Sequence, residues 1–288
     1  MRNHFVPAFL LHAWADSDPE EKVSVFTLTD RGVHLSRRAP KWTGYEDDIL
    51  TLTRDVVAGM DKHAIEQKFL QTVDNEAHLV RKKLTEQGLA SLTWKDRNSW
   101  VCFIMSLQIR QPSVVFHLRK EASLHLRESL ASQPEEYEAV VNDSAPPTLE
   151  EWTEQQFPGL IENFGLSFFH KLVDNPEVGN KILGLKWWLW DFSDCSHYLL
   201  LADRPCIFAG GIDDPNLVIV LPLSPTKAFI ATRGEHTAAA LRQQTSKGLI
   251  SRLNNATVMQ AQERIYAKDK SPDCFIRNRR PRLVPAGQ

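Results

Sequence analysis

The spacing of apolar and polar positions changes twice along the chain. After an apolar opening, "NHFVPAFLLHAW" at residues 3–14, the stretch "KVSVFTLTDRGVHLSRR" contains two β-rich runs split by Asp30, Arg31 and Gly32. A break of this kind between alternating runs signals a hairpin, with glycine where a positive φ is required. The opening itself predicts a short helix beginning at Pro7, because proline is accommodated in a helix's first turn. From residue 44 to 174 the spacing is helical. "DKHAIEQKFLQTVDNEAHLVRKKLTEQG" runs from an Asp61 cap to a Gly88 stop, and Ile65, Phe69, Val73, Ala77, Val80 and Leu84 recur at three- and four-residue steps. "LTWKDRNSWVCFIMSLQIRQP" carries Trp100, Phe103, Ile104 and Leu107 on one face and ends at Pro112, on which a third helix starts. The polar stretch "SQPEEYEAVVNDSAPPTLEEW" reads as an exposed connection, and helix resumes in "TLEEWTEQQF" and "GLIENFGLSFFHKLV".

Residues 175–233 have strand character: "KWWLWDF", "HYLLLAD", "CIFAG", "NLVIVLPL" and "KAFIATR", separated by short turn clusters. Parallel neighbours need crossover helices, so these spacings predict one antiparallel meander from Lys186 to Arg233. A last helix, "TAAALRQQTSKGLISRLNNATVMQAQERIYA", and the tail "FIRNRRPRLVPAGQ" fill residues 234–288. The expectation is a single α+β domain: an N-terminal segment with a small hairpin (1–43), a helical bundle (44–174) packed with an antiparallel sheet (175–233), and a C-terminal helix with a basic tail (234–288).

Composition narrows the class. The chain has 288 residues, 42% hydrophobic, with formal net charge -2. Near-neutral charge argues against wholesale binding to nucleic acid or anionic membrane, which shows as a basic excess. Four cysteines lack CxxC spacing, which argues against zinc ribbons and redox motifs. The opening has no secretory design, and no window reaches the roughly eighteen apolar residues of a membrane helix. These features lead us to expect a reduced, cytoplasmic protein without membrane contact.

Chemistry is sought where polar groups occupy apolar settings. On a wheel of about 100° per residue, Glu76 falls inside the apolar arc of its helix, with Asp74 and His78 outside it. A carboxylate so placed must be paired or change protonation. Arg97 and Arg110 can reach inward from the next helix, Arg110 from an end that opens toward a cleft. Asp203 closes "HYLLLAD" on the face of Leu199 and Leu201, just before Arg204-Pro205 breaks the ladder. It is either a catalytic acid or an Asx turn. His4 lies in the apolar opening, where a satisfied core histidine is the ordinary role. Arg204 and the tail residues Arg277, Arg279 and Arg280 are the candidate substrate-binding cations, through contact to phosphates. The alternative for the tail is a solvated terminus. HExxH, GxSxG, GxGxxG and phosphate-loop motifs do not occur. Trp187, Trp188 and Trp190 put rings on both faces of one strand, as core or as a stacking surface.

"NHFVPAFLL", "VDNEA", "SLQIRQP" and "LLLADRPCI" followed by "VIVLPLSP" together resemble, in order and over nearly the whole chain, a microbial family known only as domain of unknown function 4238. The family's opening usually reads like "HYVPQFYLR"; His4, Val6, Pro7 and Leu10 are kept, but Leu11-His12 stands where basic residues are common. Its sheet motif usually reads like "TSDNPV"; Ala202 replaces the serine and Arg204 the asparagine, which puts a hydroxyl role there in doubt. The resemblance implies no activity, but it picks out His4, Glu76, Arg110 and Asp203.

Two functions are compatible with that set. One is a hydrolase, nuclease-like, acting on a phosphodiester or other anionic substrate, with a divalent metal as the cofactor such residues would take and nucleic acid as a partner. The other is a non-catalytic binding or interaction module in which the four residues form a structural ion-pair network. Whether they line an open cleft or a closed interior separates the two.

Overall fold

The structure, a computed structural model, describes residues 1–16, 20–53, 61–139 and 145–280. The N-terminal part comprises β1 (Arg2–His4), the one-turn α1 (Ala8–Leu11), β2 (Val23–Thr29), β3 (Gly32–Arg38) and β4 (Tyr45–Asp47). β2 and β3 form the expected hairpin, Thr29 pairing with Gly32, which takes φ +142. Pro7 caps α1 rather than entering it; its carbonyl accepts from Leu10 and Leu11 N–H. β1 and β4 pair antiparallel with His4 opposite Tyr45.

Next come a π-helical segment at Ile65–Leu70, α2 (Gln71–Gln87), α3 (Trp94–Ile109), α4 (Pro112–Ala131), α5 (Pro134–Glu138), α6 (Leu149–Gln156), α7 (Leu160–Ser167), α8 (Phe169–Val173) and α9 (Pro176–Leu183). α2 stops where Gly88 adopts φ +81, a conformation that costs glycine nothing. α3 begins with a capping box: Thr93 Oγ1 accepts from Asp96 N–H, and Asp96 Oδ2 accepts from Thr93 N–H at 2.8 Å. The stretch read as an exposed connection contains α5, which buries Tyr137, whose hydroxyl donates to the Pro146 carbonyl at 2.8 Å. Residues 140–144 of that stretch lie outside the described residues.

The remainder is β5 (Lys186–Asp191), β6 (Leu201–Ala202), β7 (Ile207–Ala209), β8 (Val218–Ser224), β9 (Lys227–Thr232), α10 (Glu235–Arg242), α11 (Ser246–Gln260), β10 (Arg264–Ala267) and α12 (Asp273–Arg279). The fold is α+β, and all its strand pairs are antiparallel among the described residues. The single meander is corrected to two sheets, ordered β5-β9-β8-β7 and β3-β2-β10-β6. "HYLLLAD" leaves its sequence neighbours because Leu201 and Ala202 pair with Tyr266 and Ile265. The long last helix is corrected as well. It breaks after α10, restarts under a Thr245 cap that accepts from Gly248 N–H, and its final "RIYA" is β10, bonded to the hairpin strand β2.

α3 lies on the inner face of the β5-β9-β8-β7 sheet. Trp100 packs on Phe103 and edge-on to Phe229, which Trp187 also contacts edge-on. Of the three tryptophans of β5, Trp187 is buried, Trp188 and Trp190 are partly buried against the core, and Trp188 donates to Thr232 Oγ1 and lies under the Arg242 guanidinium. α4 and α7 pack so closely at Gly165 that a Cβ there would run into the Leu118 carbonyl. Among the described residues no helix is long and apolar enough to cross a membrane. All four cysteines are free.

Candidate functional site

Pro112 has no N–H to continue α3, so the helix ends at Ile109 and the chain turns extended at Gln111. Arg110 sits at that end and folds its side chain back over the last turn. Its Nη2 donates to Ser106 Oγ at 2.6 Å and to Asp74 Oδ1 at 2.7 Å, and its Nη1 donates to Asp74 Oδ2 at 3.1 Å. A longer bond of 3.4 Å reaches the His4 carbonyl. The guanidinium is 1% exposed, so the forked carboxylate neutralises a charge that is out of water.

Asp74, not Glu76, is therefore the carboxylate that α2 contributes. Glu76 is a correction to the wheel reading: its side chain is 41% exposed, it accepts from Ser99 Oγ at 2.6 Å, and its nearest cation is Lys95 at 4.0 Å. The two acids flank the buried stripe of Val73, Ala77, Val80 and Leu84 on opposite sides. The side from which Arg110 arrives decides between them. Arg97, the other candidate, lies over the Trp187 ring instead.

Two further groups complete the node. His4 is half-buried against Tyr45, and its Nε2 has no hydrogen-bond partner. Its pKa is lowered, first by burial, with Arg110 and Arg2 adding to the effect and Asp74 opposing it. Glu66 comes from the π-helical segment, a helix type enriched at functional sites. Burial raises its pKa against the Asn3 amide, Arg110 and the His4 backbone N–H, and its Oε2 is unpartnered. The signal in the sequence that points to Glu66 is its place seven residues before Val73, which gives it the direction of the buried stripe.

Asp203 is separate from this node. It is 4% exposed and each oxygen accepts two backbone N–H groups: Oδ1 from Arg204 and Gln262, both at 3.0 Å, and Oδ2 from Glu263 and Arg264 at 2.5 and 2.8 Å. The carboxylate thus gathers the turn between α11 and β10 and aligns β10 beside β6. Arg204 donates to Ser113 Oγ at 3.1 Å, bridging this turn to the start of α4. In the tail, Arg277 pairs with Asp273, Arg280 donates to the Thr29 carbonyl, and Arg279 lies over the Phe275 ring. Arg282 lies outside the described residues.

An open cleft of about 1110 Å³ lies beside the Asp203 turn, bounded by Phe5, Tyr45 and Glu46, by Gln111 to Ser113 with Phe116, and by Gln262 to Arg264. Asp203 forms part of its wall, while His4, Glu66, Asp74, Glu76 and Arg110 do not. Phe116 is 70% exposed there. Among the described residues no three His, Cys, Asp or Glu side chains gather as a metal-holding set.

A family model described as "Protein of unknown function (DUF4238)" matches residues 2–271. No curated protein and no solved structure matches the chain.

Proposed function

The chain belongs to the DUF4238 family, and we propose that it is a binding module whose buried polar clusters are structural and whose open cleft receives the ligand. The observation that carries this reading is the burial of Arg110 in a fork with Asp74, away from the cleft. An arginine that stabilises developing charge has to face its substrate, and this one faces Asp74. Asp203, saturated by four backbone donors, has the geometry of a turn anchor rather than of an acid. The cleft combines an exposed aromatic ring, Phe116, with three carboxylates, Glu46, Glu263 and the backbone-bonded Asp203, and one cation, Arg264. This mixture fits an extended peptide segment carrying a basic side chain beside an apolar one. Free cysteines accord with a reduced, cytoplasmic setting.

A hydrolase acting on an anionic substrate is the second reading. It is favoured by the unpartnered His4 Nε2 and Glu66 Oε2, both pushed by burial toward their neutral forms, the protonation states of a general base and a general acid. Selection from a displayed random peptide library, followed by titration of the selected peptides, tests both. The module reading expects basic-apolar peptides whose binding weakens in Phe116→Ala and Glu263→Gln, with His4→Gln unaffected. Cleavage of RNA or a nitrophenyl phosphodiester by the parent, lost in His4→Gln at unchanged melting temperature, overturns it in favour of the hydrolase.

A further inference from the structure

A cavity of about 490 Å³ lies on another part of the molecule, between the loop before β6, α11, and the segment that runs from β10 into α12. Its floor is apolar, made by Leu199, Leu200, Ile250 and Ala267. Its rim carries Lys247 from the first turn of α11, Lys268 just after β10, and Arg279 near the end of α12. Only one carboxylate, Asp269, shares the lining, and it accepts from Ser271 N–H at 2.8 Å. Among the described residues none of the three cations has an acidic partner, although the chain as a whole has more acids than bases. Arg277, by contrast, is engaged by Asp273. Two of the cations rest on aromatic rings that also line the cavity: Lys268 Nζ is 4.4 Å from the Tyr198 ring centre, and Arg279 Cζ is 4.1 Å from that of Phe275.

The geometry points to a second binding site, one for a small phosphate monoester with a flat apolar body, that is, a nucleotide. A phosphate monoester carries about −1.5 to −2 charge at pH 7, which matches three cations set against one carboxylate. The volume lies within the range of about 300–1,000 Å³ typical of small-ligand sites, and the apolar floor beside two aromatic rings suits a base. The wall is preformed: Asn254 accepts from Leu200 N–H and donates to the Tyr198 carbonyl, both at 2.8 Å, which fixes the loop that carries Tyr198. Of the described tail arginines, Arg279 is the one that lines this cavity. It is independent of the peptide cleft, so either assignment can fail without the other.

Calorimetric titration of the full chain with AMP, inorganic phosphate and adenosine tests the site. AMP should bind, with phosphate weaker and adenosine weakest. Lys268→Gln and Arg279→Gln, both exposed side chains, should each weaken AMP by about tenfold or more at unchanged melting temperature. AMP should also slow alkylation of the exposed Cys274, which lines the cavity, relative to Cys195, which does not. Failure of AMP to bind, equal binding by the variants, or adenosine binding as tightly as AMP overturns the proposal. So does binding of an RNA oligomer with a steep salt dependence while AMP itself does not bind.

Discussion

Arg110 and Asp74 share a two-pronged ion pair that is sealed at one end and open at the other: the guanidinium is 1% exposed and the carboxylate 23%. Because Arg110 also reaches Ser106 and the His4 carbonyl, the pair joins α2, α3 and β1 at one point. The Coulomb gain of such a pair is largely offset by desolvation, so its main effect is on how these three segments dock. The backbone carbonyl of His4 is bonded to the node, and its ring lies against Tyr45.

Asp203 tests the turn-anchor role. In Asp203→Asn the amide nitrogen faces two backbone donors that the lost oxygen had satisfied. Each stranded donor should cost about 1–3 kcal/mol. The urea midpoint should fall with little change in m-value. A midpoint equal to that of the parent contradicts the role.

The two shifted groups of the node have opposite pH signatures. His4 titrates below its ordinary 6.5 when folded, so below pH 6.5 the unfolded chain binds the extra proton and stability falls with falling pH. Glu66 titrates above its ordinary 4.5, so above that pH the folded chain holds the extra proton and stability falls as pH rises. His4→Gln should remove the first loss and Glu66→Gln the second, seen in urea midpoints across pH 4.5 to 6.5. Variant profiles parallel to that of the parent contradict the assignment.

Gly165 is a packing requirement. Gly165→Ala forces α4 away from α7 at the Leu118 carbonyl and should cost about 1–3 kcal/mol. Gly211→Ala, where a Cβ meets nothing, should stay within about 0.5 kcal/mol of the parent. Equal melting temperatures for the two variants would refute the close approach.

Local signals in the sequence were dependable where a single element decides the outcome. The Asp30-Arg31-Gly32 turn, the Gly88 stop, the Pro112 boundary and the buried face of α3 are all set by backbone chemistry and helical spacing. What eluded the sequence depends on partners distant along the chain. β6 crosses to the other sheet because β10, some sixty residues later, offers it a ladder. Asp74 replaces Glu76 in the node because the wheel gives a residue's direction but not the side from which Arg110 comes. The sequence around Asp203 fits an acid and an Asx turn equally, and three of the four amides that bond its carboxylate lie beyond residue 260.

The central claim is that the Arg110–Asp74 node is structural, and a double-mutant cycle in urea measures it directly. Arg110→Met and Asp74→Leu should each destabilise, Asp74→Leu the more strongly, by about 3–5 kcal/mol, because it leaves the buried guanidinium unpaired. The double variant should recover part of that loss, with a coupling energy of about 1–3 kcal/mol. Single variants within about 0.5 kcal/mol of the parent, with no coupling, would contradict the account.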